Sequence, residues 1–301
     1  MISAVINTYN EEKNIEKCLS SLASWVSEII IVDMNSSDNT VKIAKGFTDK
    51  IYSFPYIGFV EPARNMAIGK AHGDWIILVD ADEEIPKSLS SKIKDLISKT
   101  DCSYFRIPRK NIIFSKWIRH ASWWPDYQIR LFKKGAVSWS DKIHSIPLTR
   151  GQGSDLTLSE ENAIVHYNYQ SVEQFIERLN RYTSIQAKEL YISGKKFSWQ
   201  SLIHSPTQEF LSRYFQSEGY KDGIHGLILS LMQSFSQLSV MIKLWELEGA
   251  KESRIDLSEF KKELDARNSQ ENYYLIEEKM SKEKYFLPKL KLKIERKLRA
   301  S

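Results

Sequence analysis

The sequence predicts an α/β protein: a Rossmann-like parallel sheet in its first part and a helical region in its second. Three observations carry that expectation. Through about residue 100, short apolar runs alternate with segments whose apolar residues recur at helical spacing. The run from Trp75 to Val79 is apolar without a polar break, as in a strand buried on both faces. It stops at Asp80-Ala81-Asp82-Glu83-Glu84, and the carboxyl ends of strands are where open α/β sheets bind ligands.

The elements follow in order. Residues 3–8 form a first strand that turns polar at Tyr9-Asn10-Glu11-Glu12. Asn14 is placed to cap the next helix, whose Ile15, Cys18, Leu19 and Leu22 share one face. Residues 28–32 form a second strand ending at Asp33, followed by turn and cap formers from Asn35 to Thr40. Val41, Ile43, Ala44 and Phe47 mark a helix, and residues 51–54 a third strand. Glu61-Pro62-Ala63-Arg64-Asn65 opens a helix through Met66, Ala67, Ile68 and Ala71. Residues 75–79 are the fourth strand. Asp80 and Asp82 are two apart, so on a continuing strand both face the same way. Such a pair can grip a hard divalent cation, which in turn grips phosphates. An acidic turn before a helix started by Pro86 and Ser88 accounts for the same residues, and Glu83 and Glu84 read as the start of that helix.

The totals exclude several classes. Net charge is +5, and Cys18 and Cys102 are the only cysteines, too few for a disulfide framework or a zinc site. A reducing cytoplasm is the simplest compartment. The first residues lack the basic region of a signal peptide, and no uninterrupted apolar run is long enough to span a bilayer. Neither a G-x-G-x-x-G turn nor a Walker loop is present, so carboxylates and a metal, not a glycine cradle, would hold a nucleotide. Asn10-Glu11, Asp33 and Asp80-Ala81-Asp82 end strands on one edge and converge on one crevice. Asp33 competes with Asp38 for capping the following helix.

Residues 103–109 and 111–114 read as two further strands. Between them and the next strand lie Trp117, His120, Trp123, Trp124 and Tyr127, either a platform for sugar rings or a core cluster. From Ser171 the pattern is helical, with Val172, Phe175, Ile176, Leu179 and Tyr182 on one face. The glycines from Gly219 to Gly226 follow no strand and turn the chain between helices. Residues 227–247 form a strongly apolar helix, interrupted by Ser and Gln, that packs on the protein or lies on a membrane surface. Residues 282–299 are basic and amphipathic, suited to anionic lipid. No nucleic-acid module is visible, so nucleic acid is not an expected partner.

Asn7-Thr8-Tyr9-Asn10-Glu11-Glu12, Val32-Asp33 with Ser36, Asp38 and Thr40, Ala63-Arg64-Asn65, and Gly73-Asp74-Trp75 through Glu83 together resemble a family 2 inverting glycosyltransferase. The resemblance implies the GT-A fold. It implies a catalytic domain over residues 1–170, with a nucleotide-sugar half (1–100) and an acceptor half (101–170), then a helical region over 171–301. It places Thr8, Tyr9 and Glu11 around base and ribose, Asp33 on the uridine or its ribose, Arg64 on the base or diphosphate, and Asp80 on the ribose. Asp82 would ligate Mn²⁺ or Mg²⁺ on the diphosphate of a UDP-sugar.

The run Trp124-Pro125-Asp126-Tyr127-Gln128-Ile129-Arg130-Leu131-Phe132 resembles lipopolysaccharide core glucosyltransferases, as do the stretches beginning at Pro206 and Gly219. An inverting transferase needs one general base for the acceptor hydroxyl. The resemblance points to Asp126, with Trp124 on the acceptor side. Gln128 and Arg130 orient the base or bind sugar and phosphate, and a salt bridge under the strand also explains Arg130. Relatives place Glu directly after the equivalent of His144. Here Ser145 stands there, with Asp141 the nearest carboxylate. That turns the base assignment further to Asp126 and keeps open an impaired binding or scaffold protein on the same fold. His166 resembles the His of a His-Tyr pair ending the catalytic domain, a further metal ligand or a packing residue. The implied activity is metal-dependent inverting transfer of a hexose, with UDP-glucose the expected donor. The acceptor would be a lipid-linked or lipopolysaccharide-core glycan at the inner face of the cytoplasmic membrane.

Overall fold

Every residue of the first strand, β1 (Ile2–Thr8), is buried, because helices cover both faces of the sheet it centres. The computed structural model describes residues 1–56, 60–139, 147–282 and 291–292. Its chain divides into Met1–Trp117 with Trp124–Gln170, and Ile118–Trp123 with the chain from Ser171 onward.

In the first unit β1 is followed by α1 (Ile15–Ala23), β2 (Glu28–Asp33), α2 (Thr40–Ala44), β3 (Ile51–Ser53), α3 (Glu61–Gly69) and β4 (Trp75–Asp80). Then come β5 (Glu83–Glu84), α4 (Lys87–Ile97), β6 (Tyr104–Ile113), β7 (Lys116–Trp117), β8 (Asp126–Lys133), β9 (Val137–Ser138), β10 (Leu148–Thr149), β11 (Gly153–Asp155) and β12 (Ile164–Tyr169). Among the described residues the main sheet runs β3-β2-β1-β4-β8-β6-β12-β5. The first four strands are parallel. β8 is antiparallel to β4 and β6, and β12 runs parallel to β6. The carboxyl ends of β1, β2, β4, β6 and β12 and the start of β8 therefore lie along one edge.

Period-two alternation splits each central strand between two cores. Ala4, Ile6, Ile29, Ile31, Ile77 and Val79 pack with Leu19 and Leu22 of α1 and Leu89 and Ile93 of α4. Val5, Ile30, Val32, Ile76 and Leu78 pack with Ala63 and Ala67 of α3. Burying one such Leu or Ile contributes about 1.5–3 kcal/mol, so these positions hold the sheet that carries the loops.

Three local expectations are corrected. Asn14 sits at the start of α1, but its side chain makes no capping bond. Its amide instead donates to Glu11 Oε2 at 2.7 Å, while the backbone carbonyl of Glu11 takes the N–H groups of Asn14 and Ile15. Residues 104–113 are one strand, not two; Pro108 removes one donor from the ladder without ending it. Glu83 and Glu84 do not begin a helix. They form β5, antiparallel to β12, and α4 starts at Lys87 after Pro86.

The second unit contains α5 (Val172–Ile192), α6 (Ser201–Leu211), α7 (Ile224–Leu247) and α8 (Leu257–Lys282). The Ser171 hydroxyl caps α5, accepting from the Gln174 N–H at 3.2 Å. The glycines before α7 permit close approach: a Cβ on Gly226 would lie 1.8 Å from the Gly219 carbonyl oxygen. α7 is longer than expected, 24 residues with an 18-residue stretch of mean hydropathy 1.4, enough by length and composition to cross a membrane. Its Val240 and Met241 are buried against Ala187 of α5, with Leu202 of α6 alongside. Most of the basic tail over 282–299 lies outside the described residues.

Candidate active site

The loops after β1 and β2 are laced together. The N–H groups of Asn10, Glu11 and Glu12 donate to Ser36 Oγ at 2.9 Å, Thr40 Oγ1 at 2.8 Å and Asp38 Oδ2 at 3.0 Å. Burial works against ionising Asp38, but its hydrogen bonds from Thr40 and Glu12 outweigh that and hold the carboxyl below its usual value. Asp33 is buried and closes on Ser36, accepting from its N–H at 3.0 Å and its hydroxyl at 2.6 Å. Tyr9 stacks on Tyr56 with ring centroids 3.9 Å apart. At the end of β1, both amide atoms of Asn7 and the Thr8 hydroxyl are buried without a hydrogen-bond partner. Asn7 pairs across the sheet with Asp80, and Thr8 with Asp33. Unpaired buried polar atoms are costly, and a bound ligand with hydroxyl or ring nitrogen groups could supply partners here.

Asp80 ends β4 between two arginines. Arg64 of α3 donates to Oδ1 at 3.0 Å, and Arg130 of β8 donates to Oδ2. Burial opposes ionisation of Asp80, yet the two guanidinium charges hold its carboxyl far below the usual range. Arg130 is buried and also donates to Glu83 Oε1 at 2.7 Å. Glu83 Oε2 accepts the Asp80 N–H at 2.9 Å. Glu83 is thus a buried partner of the site that sequence reasoning assigned to a helix start. Only the pairing of β5 with β12 turns it inward. Asn65, quoted within the motif without a role, clamps Trp139, donating to its carbonyl at 2.6 Å and accepting from its N–H at 2.9 Å. Cys18 lies under this cluster. Burial, then the nearby Glu83, Asp82 and Asp80 carboxylates, push its thiol well up, so it stays protonated and inert.

Asp82 does not share a strand with Asp80. β4 ends at Asp80, and residues 81–82 turn, so the two carboxylates part. Asp80 meets the arginines, whereas Asp82 Oδ2 lies 3.5 Å from His166 Nε2. The Asp82 carbonyl accepts the Tyr167 N–H at 2.9 Å, tying the turn to β12. His166 Nδ1 lies 2.7 Å from Asn111 Oδ1. No cluster of three or more candidate metal ligands occurs among the described residues. An oxygen and an imidazole side by side suit a divalent cation that takes its remaining ligands from water and phosphate oxygens. Asp82 and His166 fit that role.

Asp126 opens β8 at the same edge. Its Oδ2 accepts from Arg109 Nε at 2.9 Å and Asn111 Nδ2 at 3.1 Å, and Arg109 Nη2 stands in ion-pair contact with it at 2.7 Å. Its Oδ1 accepts from Gln128 Nε2 at 2.8 Å. Burial would raise its pKa; Arg109 and the amides of Asn111 and Gln128 outweigh burial and lower it. The group is a carboxylate at neutral pH, with Oδ1 its less encumbered oxygen. Gln128 touches it through its amide N–H. Arg130 does not: it serves Asp80 and Glu83. Arg109 and Asn111 were missed, since a charged residue and an amide on an alternating strand carry no local signal of where they point. Trp124 packs edge-on against Trp117, centroids 5.3 Å apart, and both remain partly exposed. Asp141, His144 and Ser145 lie outside the described residues.

The chain is similar to known glycosyltransferases. Residues 3–151 match the family model described as Glycosyl transferase family 2. The chain is 30% identical over 255 residues to an uncharacterized glycosyltransferase of Rickettsia typhi, covering 82% of this chain and 87% of that one. It is 24% identical over 259 residues to the lipopolysaccharide core biosynthesis glycosyltransferase LpsC of Rhizobium meliloti, covering 83% and 94%. Among solved structures, S. aureus TarS residues 1–349 is a distant likeness: 15% identity, TM-score 0.44, covering 85% of this chain and 93% of that one.

Proposed function

The chain belongs to glycosyl transferase family 2, and from that premise we propose that it transfers a hexose from a UDP-sugar, UDP-glucose first among them, to a lipid-linked or lipopolysaccharide-core glycan with inversion. The observation that carries this is Asp126, an ionised carboxylate held by Arg109, Asn111 and Gln128 at the edge where Asp80 and Asp82 close the nucleotide loops. Asp126 Oδ1 takes the proton of the acceptor hydroxyl. The freed oxygen attacks C1 from the face opposite the diphosphate, the C1–O bond to UDP breaks, and a β-linkage forms from an α-linked donor. Asp82 and His166 would hold a Mn²⁺ or Mg²⁺, which would supply positive charge to stabilise the leaving diphosphate. Asn7, Thr8 and Asp33 line the ribose side. The name of the Rhizobium relative supports a lipopolysaccharide-core acceptor.

A hydrolysis and transfer screen of UDP- and GDP-sugars with Mn²⁺ tests the reading. Turnover of a UDP-hexose is expected, and preference for a GDP-sugar overturns the donor. Asp126→Asn keeps UDP affinity in calorimetry and loses transfer by about 10²–10⁴-fold. Near-normal transfer in that variant moves the base elsewhere. Asp82→Ala abolishes Mn²⁺-dependent UDP release, and full activity there removes the metal assignment.

A further inference from the structure

We infer that Asn111 is a positioning residue whose one amide sets both the tautomer of His166 and the orientation of Asp126. The inference rests on the proposed roles of those two residues as metal ligand and base. Asn111 is fully buried on β6 and lies opposite His166 in the β6–β12 register. A carboxamide has one donor end and one acceptor end. Asp126 Oδ2 already takes the Arg109 Nε–H and stands 2.7 Å from Nη2 of the same guanidinium, so the carboxyl is ionised and can only accept. Asn111 must therefore turn its NH₂ toward Asp126, at 3.1 Å.

Its Oδ1 then faces His166 Nδ1 at 2.7 Å and also takes the Asn168 amide at 3.3 Å. An amide oxygen cannot donate, so the imidazole hydrogen stands on Nδ1. In the neutral ring the lone pair is then on Nε2. Nε2 is the atom that points to Asp82, 3.5 Å from its Oδ2, where a cation held by Asp82 needs a lone pair rather than a hydrogen. Turning the Asn111 amide over would break both bonds together. Arg109, the other donor to Asp126 Oδ2, has no acceptor with which to fix the His166 tautomer, so it cannot transmit this constraint.

The test uses the full chain, metal-free, with ¹⁵N-labelled histidine at pH 8. Two-bond ¹H–¹⁵N spectra distinguish the tautomers, and His166→Gln identifies the signal. Wild type is expected to show His166 with hydrogen on Nδ1. The Nε2–H tautomer, or an imidazolium, overturns the inference. Asn111→Ala is expected to give mixed tautomers and to weaken Mn²⁺ binding in the presence of UDP, followed by electron paramagnetic resonance, by about 10–100-fold. Asn111→Asp keeps an acceptor for Nδ1 but offers no donor to Asp126. It retains the Nδ1–H tautomer and Mn²⁺ binding while transfer falls, a split that general loss of structure would not produce. If Asn111→Ala does not fold, wild type and Asn111→Asp decide alone. Failure of the inference is His166→Gln weakening Mn²⁺ while Asn111→Ala does not. Failure of the ligand assignment beneath it is unchanged Mn²⁺ affinity in His166→Gln.

Discussion

Arg130 shows how one side chain holds the site's two halves. It is buried, and its guanidinium meets Asp80 on one side and Glu83 on the other. Burial would lower its pKa, but the charges of Asp80 and Glu83 raise it instead, so the cation persists. Removing one member of a buried pair leaves the other charge unsolvated and unpaired, at about 3–5 kcal/mol. Arg130→Met strips the close partner from Glu83, whose remaining cation, Arg109, stands at 3.4 Å. Glu83→Gln leaves Arg130 paired with Asp80, and Asp80 retains Arg64. Arg130→Met should therefore destabilise by about 3 kcal/mol or more and exceed Glu83→Gln. Urea midpoints of the two variants measure this, and equal midpoints contradict it. The carboxylates were legible as a set because they end strands in one repeating pattern, and Arg64 because it opens the helix before β4. Glu83 was not, since a two-residue strand has no periodicity to read.

The element that positions Asp80 and Asp82 is β4, and its entry depends on Gly73. A Cβ there would lie 2.7 Å from Ser3 Oγ and 2.8 Å from Ser3 N, while the Gly73 N–H donates to that same hydroxyl at 2.8 Å. The contact includes backbone, so it cannot yield by a side-chain rotation alone. Gly73→Ala should cost about 1–3 kcal/mol through overpacking. Thermal unfolding measures the loss, and an unchanged midpoint contradicts it. The strands and helices through β4 were legible because runs buried on both faces and helical spacing are local signals. Less legible were β6, read as two strands either side of Lys110, and the turn at residues 81–82, where a carboxylate pair looked like a continuing strand. In both cases the neighbouring strands decide, through ladder bonds that no local window contains.

At the scale of the whole first unit, Glu28 ties β1, β2 and the segment after α3. Its buried carboxylate accepts from Ser3 Oγ at 2.5 Å, the His72 N–H at 2.6 Å and Lys50 Nζ. Burial opposes ionisation, but Lys50, Ser3 and His72 outweigh it and bring the group from 4.5 down to about 2. The folded value lies below the unfolded one. The stabilisation is therefore full above the unfolded pKa and is lost as pH falls from about 4.5 through about 2. With Lys50 and His72 exposed, it is on the order of 2 kcal/mol. Between those pH values the urea midpoint of the wild type should fall more steeply than that of Glu28→Gln. Parallel curves would show that Glu28 contributes nothing to acid unfolding.

By itself the sequence determined the α/β class, the order of strands and helices through β4, and the edge along which the candidate carboxylates gather. Hydrophobic periodicity and strand termini are properties of a few neighbouring residues. Only the tertiary structure decided the partners: Asp80 with two arginines, Asp82 with His166, and Asp126 joined to His166 through Asn111. Those choices join residues far apart in sequence, from strands whose adjacency is set by the sheet. A side chain's direction on a strand alternates with register, and register is fixed only when the neighbouring strand is in place.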